Sequence, residues 1–228
     1  MYPYSAQYPA AGDLLTFLRA SGMLKGLPTA GIPTYDILGY ALASAIGEWE
    51  RVTKWQPFAA AAAPSTRVFD SPLSAILDLE GGLIDAPSVM IGTTAYTLNQ
   101  QFTAGPKNAL ARGLPICYLD FGPLTSPQGY GYSNSLGFLP SGRMTVSVTG
   151  TWGYCGVVPP DVRQAILQEA AAQLAPSLAI ARYGGLISWT EEGVTENYGR
   201  AQFSDMADSG AKAFASAAMR YRRITFGG

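Results

Sequence analysis

The amino-acid sequence predicts an α+β fold, in which a small helical bundle carries an inserted antiparallel β subdomain. Apolar residues recur at three- and four-residue spacing towards both ends of the chain, which is typical of amphipathic helices. The middle of the chain alternates apolar and polar residues and is punctuated by prolines, as strands joined by turns are. We therefore expect residues 13–65 and 155–228 to form a helical connector bundle, residues 66–154 to form the β subdomain, and residues 1–12 to form an extended N-terminal tail.

Two helices are predicted before the β subdomain. The first covers residues 13–24, where leucines and a phenylalanine form an apolar stripe. The second covers residues 34–55 and has the most regular helical pattern in the chain. The apolar positions of this second helix are Leu38, Leu42, Ile46, Trp49 and Val52.

Six strands are predicted in the β subdomain, because short alternating runs are separated there by glycine and proline. They cover residues 66–70, 74–80, 87–92, 94–99, 116–121 and 143–150. The stretch 122–142 is rich in glycine, serine, proline and aromatic residues without a helical period, so we expect a long surface loop.

The end of the last predicted strand leads into a helix through a rigid corner. Val146 and Val148 alternate with hydroxyl residues, which predicts one buried and one solvated strand face. Past Gly150, two large aromatic residues and two prolines preset the turn into the helix. We expect this structural corner to consist of Trp152, Tyr154, Pro159 and Pro160. The two aromatic side chains could fill the core or anchor a partner, and the sequence favours the core.

Two further helices are predicted near the C-terminus. The first begins at Pro160 and is expected to end or kink at Pro176, which lacks an amide donor. The second is expected to begin at a Ser204 cap, with Asp205 and Asp208 in its first turn.

Charged residues are scarce, at 14% of the chain against about 25% in typical soluble domains, while apolar residues reach 48%. A large core is one explanation. Burial of the flanks of the subunit against copies of itself is the other, and we favour it because charged residues are depleted at interfaces.

The net charge of −1 excludes strong overall attraction to nucleic acid or to an anionic membrane. The end of the chain is nevertheless basic, since no acidic residue follows Asp208 whereas Lys212, Arg220, Arg222 and Arg223 do. Cations complement the dipole at a helix C-terminus, but these exceed what a cap requires. We therefore expect a partner with an acidic face.

The composition removes most catalytic chemistry, and we expect neither an enzyme nor a cofactor. The chain has no histidine, which excludes Ser-His and Cys-His nucleophilic systems and every histidine metal site. It also lacks a phosphate-binding glycine loop. Its two cysteines, Cys117 and Cys155, are expected to be buried free thiols, and no stretch of about 18 apolar residues suggests a membrane span.

Two close carboxylate pairs could suggest a glycosidase-type hydrolase. Asp78 and Glu80 would share one face of a strand, while Glu191 and Glu192 would form a loop tip. A solvated surface explains both pairs more simply. Trp189, in the same predicted loop as Glu191 and Glu192, is the better candidate for contact with a partner or another subunit.

Three segments resemble the head-tail connector proteins of tailed bacteriophages, which are also called adaptor or head-completion proteins. The first segment, residues 143–167, contains the sequence pattern V-x-V-T-G-x-W-G-Y followed by V-P-P-D-V-R-Q-A. Residues 86–98, APSVMIGTTAYTL, look like the family's paired strands, which turn at a glycine. Residues 185–199, with the closing helix that ends at Tyr221, are similar to its last loop and C-terminal helix. The resemblance spans roughly residues 35–224, and the loop 122–142 and the tyrosine- and proline-rich N-terminus depart from it.

The resemblance implies a structural virion protein rather than an enzyme. It implies a ring of about twelve subunits with closed symmetry, assembled in the host cytoplasm, that docks under the portal protein and presents a platform to a tail-side stopper or tail protein. Double-stranded DNA would pass through the lumen without specific binding. The basic tail is the expected portal interface, and it consists of Arg220, Tyr221, Arg222, Arg223, Ile224 and Phe226. A tail terminator, a capsid decoration protein and a carboxylate hydrolase remain as alternatives.

Overall fold

The computed structural model describes residues 8–70, 75–122, 145–183, 188–191, 194–197 and 200–223. The side chains of residues 145, 183, 188–191, 194–197 and 200–207 lie outside this description. The chain divides into two compact units, one built from Met1–Lys54 and Val158–Gly228 and the other from Trp55–Val157. Four helices and a two-stranded hairpin lie in the first unit and two antiparallel sheets form the second, so the predicted α+β class is confirmed.

The described part of the chain contains four helices and nine strands. The helices are α1 (Ala11–Ala20), α2 (Tyr35–Thr53), α3 (Pro160–Tyr183) and α4 (Arg200–Tyr221). The strands are β1 (Ser65–Asp70), β2 (Ile76–Leu83), β3 (Ser88–Ile91), β4 (Thr94–Tyr96), β5 (Thr103–Gly105), β6 (Ile116–Asp120), β7 (Thr145–Gly150), β8 (Ser188–Glu191) and β9 (Val194–Asn197).

The helical unit has two distinct ends, and polar contacts hold each of them. At one end an ion pair of 3.2 Å joins Arg163, near the start of α3, to Asp13 in the first turn of α1. At the other end the Arg182 guanidinium donates to the Gly22 and Met23 carbonyl oxygens, at 3.4 and 3.2 Å. It also donates to the Lys25 carbonyl oxygen. These contacts place α1 and α3 side by side in the same direction.

Apolar side chains from all four helices fill the core of this unit. The predicted positions of α2 are buried from Leu38 to Trp49, while Val52 is half-buried. The ring of Trp49 meets the ring of Phe214 edge to face, with a centroid distance of 5.4 Å. Tyr8 is also buried and donates to Glu50 Oε1 at 2.9 Å, so the chain already packs on the bundle before α1 begins.

Some local signals in the C-terminal half mislead. The helix α3 does not end at Pro176 but continues to Tyr183, and the apolar residues Ala175 and Leu178 on either side of the proline are buried. The predicted Ser204 cap is wrong, since α4 begins at Arg200 and has no acidic residue in its first turn. A serine is only moderately unfavourable within a helix, so packing of α4 against α3 decides where the helix starts.

The second unit contains a four-stranded sheet, in the order β1-β7-β3-β4, and a three-stranded sheet, in the order β2-β6-β5. All neighbouring strands in both sheets are antiparallel. Val146 and Val148 of β7 are fully buried, which confirms the predicted alternation. Buried side chains from both sheets form one cluster around Phe102, Leu119 and Trp152. The short strand β5 is absent from the sequence-based prediction.

The segment after β7 connects the two sheets. The Ile84 amide donates to the Thr151 carbonyl oxygen at 3.0 Å, and Leu83 of β2 forms an isolated bridge with Trp152. The Ala61 amide donates to the Trp152 carbonyl oxygen at 3.1 Å. This corner therefore joins β7, the end of β2 and the chain that precedes β1.

The Trp152 side chain fills the centre of the corner, with 1% of its surface exposed. Its indole Nε1 donates to the Ser65 carbonyl oxygen at 2.8 Å, which satisfies the only polar atom that the ring buries. The Arg67 guanidinium lies 4.3 Å from the ring centroid. Burial lowers the pKa of Arg67, although the nearby Glu80 carboxylate acts in the opposite direction.

Gly153 allows the backbone to make this corner. Its φ of 153° is one that other residues rarely adopt, and a Cβ at this position would lie 2.5 Å from the Ala60 Cα. Tyr154 follows, and its ring stacks on the ring of Phe58 with a centroid distance of 4.9 Å. The helix α3 then begins at Pro160, as predicted, with Asp161 in its first turn.

Replacing Trp152 with Ala should destabilise the protein by about 3 to 5 kcal/mol, because the change leaves a cavity between the sheets and the Ser65 carbonyl oxygen without its donor. Denaturant unfolding measures the loss. Met90→Ala, at an exposed position of β3, is the matched control and should change the free energy of unfolding by about 0.5 kcal/mol or less. Equal stability of the two variants would show that Trp152 does not support the core.

Candidate docking surfaces

The ends of α2 and α4 form a basic surface. They lie together because the Arg223 amide donates to the Thr53 carbonyl oxygen at 2.8 Å. Lys54 follows Thr53 directly and ends α2 with a left-handed φ of 61°. Its side chain is exposed, as are those of Arg220 and Arg222. We call Lys54, Arg220 and Arg222 the basic end of the bundle.

Two of the predicted docking residues are engaged inside the bundle. The Tyr221 hydroxyl lies 3.0 Å from both carboxylate oxygens of Asp161, and its ring centroid is 6.0 Å from that of Trp49. Arg223 is only 8% exposed. Ile224 and Phe226 lie outside the described residues. Arg220 and Arg222 are therefore the predicted docking residues that the described structure leaves exposed.

Lys54 was not among the residues predicted for this surface. Lys54 lies far from Arg220 in the chain, and only the packing of α2 beside α4 brings their backbones to the same end of the bundle. No local pattern in the sequence indicates that packing. The nearby Arg51 is different, because its guanidinium pairs with Glu48 on the same helix and lowers the pKa of that carboxyl by hydrogen bonding.

The predicted loop around Trp189 is a β-hairpin. The strands β8 and β9 pair in antiparallel register, with Trp189 opposite Glu196 and Glu191 opposite Val194. The predictions that Trp189 lies inside a loop and that Glu191 lies at a loop tip are therefore wrong, because period-two alternation over a few residues is too short to separate a strand from a loop. Glu192 lies outside the described residues, and a contact role for this hairpin stays a prediction.

A cleft of about 320 Å³, with both polar and apolar surface in its walls, opens on the β unit. The side chains that line it are Ile84, Leu110, Leu114, Tyr154, Cys155 and Val157. Val157 is 80% exposed and Leu110 is 40% exposed, which is unusual for aliphatic side chains. Tyr154 thus packs on Phe58 and also reaches a surface, whereas Trp152 of the same corner is enclosed.

The carboxylates Asp78 and Glu80 lie on the outer face of β2. Both are exposed, and the strand alternates exposed and buried residues from Ile76 to Glu80. This is the solvated arrangement that the sequence favoured over a catalytic pair. Asp120 shares this face, because it pairs with Ile76 in the antiparallel register.

The part of the chain that the structure describes contains no group of three or more cysteine, aspartate or glutamate residues placed to hold a metal ion. Within the same residues, no helix combines the length and the apolar character that crossing a bilayer requires.

Comparison with models of known protein families gives no match, and comparison with curated proteins gives none either. Solved chains similar to this one include two from gene transfer agent particles. One comes from the neck of an empty gene transfer agent particle computed with C6 symmetry, with a TM-score of 0.47 and 14% identity over 99% of this chain and 97% of that chain. The other comes from the virion of a native gene transfer agent particle, with a TM-score of 0.44 and 14% identity over 96% and 95% of the two chains.

Cys155, in the wall of the cleft, should react slowly with iodoacetamide while the protein is folded. Burial raises the pKa of its thiol to about 12. At pH 8 the folded protein should thus hold about a thousandfold less reactive thiolate at this position than the urea-unfolded chain, in which the thiol titrates near its ordinary value. Peptide mass spectrometry of the alkylated protein measures both rates.

The raised pKa of Cys155 also makes the stability of the fold depend on pH. The folded-state pKa lies above the unfolded value, so this thiol stabilises the fold below the unfolded pKa, and the contribution is lost as the pH rises towards about 12. Equal alkylation of Cys155 in the folded and unfolded chains would contradict the burial of this thiol.

Proposed function

We propose that this chain is a structural subunit of the neck of a tailed-phage-like particle, where it joins the head to the tail. The observation that carries the proposal is the fold of a segment on which the sequence resemblance rests. Residues 86–98 resemble paired strands that turn at a glycine, and in the structure β3 and β4 pair in antiparallel register around Gly92, whose φ is 59°.

The other two segments of the resemblance support the same proposal. Residues 145–167, the described part of the segment 143–167, contain β7, the corner and the start of α3. Residues 185–223 contain the β8–β9 hairpin followed by α4. The strand, the corner and the helix follow one another in the order that the resemblance implies.

A ring of about twelve copies is the proposed assembly, since closed cyclic symmetry is the usual arrangement for repeated structural subunits. The surface supports association, because large apolar side chains are exposed on both units of the chain. The most exposed of them are Tyr35, Tyr40, Val68, Val157, Ile180 and Met219. With 14% charged residues in the whole chain, such surfaces fit burial against other virion proteins.

We propose that the basic end of the bundle docks on an acidic groove of the portal protein. Arginine guanidinium groups pair with carboxylates in a bidentate manner, and they are favoured where such a pair is buried at an interface. Arg220 and Arg222 are exposed and close to the helix terminus that Lys54 shares. The opposite side of the ring would carry the stopper or tail protein, and double-stranded DNA would pass through the lumen without specific binding.

The double variant Arg220→Glu with Arg222→Glu should fold normally and attach to portal-bearing, DNA-filled heads at least about tenfold more weakly, because like charges placed opposite each other across an interface cost several kcal/mol. Lys54→Glu should weaken attachment in the same direction. Co-sedimentation with heads measures attachment, and circular dichroism establishes the fold.

The matched control is Arg19→Glu with Lys25→Glu, which changes the net charge equally at two exposed positions elsewhere. It should attach like the unaltered chain. These substitutions are better probes than truncation at Arg220, because truncation also removes the contacts of Tyr221 and Arg223 within the bundle. Normal attachment of the Arg220 and Arg222 variant would show that these arginines only complement the helix dipole.

A further inference from the structure

The three-stranded sheet of the β unit has an acidic outer face with an apolar side chain among the carboxylates. Ile76 is 50% exposed and pairs with Asp120. Asp78 and Glu80 follow on the same face of β2, and both are exposed. The Arg67 guanidinium donates to the Glu80 carbonyl oxygen at 2.6 Å and lies 4.3 Å from the centroid of the Trp152 ring.

The turn that joins β5 to β6 in the same sheet is basic. After β5 ends at Gly105, the chain forms a turn that returns to the start of β6 at Ile116 and contains the 3₁₀ helix Leu110–Arg112. Lys107 and Arg112 are exposed on this turn, and Leu110 between them lines the cleft with Val157. Ile76 and Asp120, by contrast, pair where β6 ends and β2 begins.

We propose that these two surfaces meet between successive copies of this chain. The basic turn and the cleft of one copy receive the acidic outer face of the next copy, with Ile76 entering the cleft and with Asp78 and Glu80 facing Lys107 and Arg112. The occupant is a second copy because this chain itself presents an exposed aliphatic side chain flanked by carboxylates, which is the complement of a cleft lined by aliphatic side chains and flanked by cations.

Among the exposed apolar residues on the described strands, Ile76 has the most acidic neighbours. Val68 has a single acidic neighbour on its strand, Asp70, and Met90 has none on its strand. Ile76 has Asp78 on its own strand and Asp120 opposite it. An apolar contact surrounded by complementary charges is the usual anatomy of a specific protein interface.

This contact is heterologous, because the two surfaces are different: one is the outer face of the edge strand β2, and the other is the turn between β5 and β6. Repetition of a heterologous contact produces a closed ring when the rotation between copies closes, and an open filament when it does not. The inference therefore rests on the proposed ring and identifies the surfaces that its neighbouring subunits use.

Charge reversal with cross-rescue tests this contact in the full chain. The acid-reversed variant carries Asp78→Lys and Glu80→Lys, and the base-reversed variant carries Lys107→Glu and Arg112→Glu. Each variant alone should self-associate at least about tenfold more weakly than the unaltered chain in sedimentation velocity over a wide concentration range, because each then presents two surfaces of like charge. An equimolar mixture should associate again, as should a single chain that carries all four substitutions.

Matched controls change the same number of charges elsewhere. Asp36→Lys with Asp208→Lys, at exposed positions of α2 and α4, controls the acid-reversed variant. Arg19→Glu with Lys25→Glu controls the base-reversed variant. Both controls should associate like the unaltered chain. Association of the controls and of the unaltered chain should weaken as the salt concentration is raised, because salt screens the attraction between the two surfaces.

Zero-length carbodiimide cross-linking of a mixture of ¹⁴N- and ¹⁵N-labelled chains detects the contact even when association is weak. We expect mixed-isotope links from Lys107 to Asp78 or Glu80. If the mixture and the four-substitution chain fail to associate, or if links between copies avoid these residues, the proposed contact is wrong. In that case, finding the unaltered chain in particle necks would still support the proposed neck function. Failure to find it there would contradict the proposed function as well as the contact.

Discussion

The corner after β7 is the constraint on which the β unit depends. Without it the four-stranded and three-stranded sheets would share no backbone contact at this point, because Trp152 and its neighbours supply the hydrogen bonds that join β7 to the end of β2. The enclosed indole then fills the space that the two sheets leave, and Arg67 covers its face. The close approach at Gly153 makes this geometry intolerant of any side chain there.

The two units carry different chemistry on their surfaces. The helical unit brings the exposed cations Lys54, Arg220 and Arg222 together where α2 and α4 end. The β unit separates carboxylates from cations along one sheet, which suits a directional contact between identical subunits. A chain with a net charge of −1 can thus make two different charged contacts and still avoid general attraction to DNA. The enclosed core and the exposed apolar surfaces together account for the low content of charged residues.

Periodicity predicted the parts of the fold that are long and strongly patterned. The helix α2, the strand β7 and the start of α3 at Pro160 all follow from local spacing and from the stereochemistry of proline. Local signals failed where tertiary packing decides the outcome, as at Ser204, which lies within α4 because that helix packs along α3. The basic end of the bundle could likewise be predicted only in part from the sequence. The arginines near the C-terminus are evident in the sequence, whereas the addition of Lys54 and the internal use of Tyr221 depend on contacts between helices that are distant in the chain.

An averaged image of particle necks at a resolution that shows side chains tests the central claim most directly. The account predicts a ring of copies of this chain between the portal and the tail-side protein, with the basic end of each helical bundle against the portal. Density for this chain on the capsid surface or at the far end of the tail, or its absence from purified particles, would contradict the account.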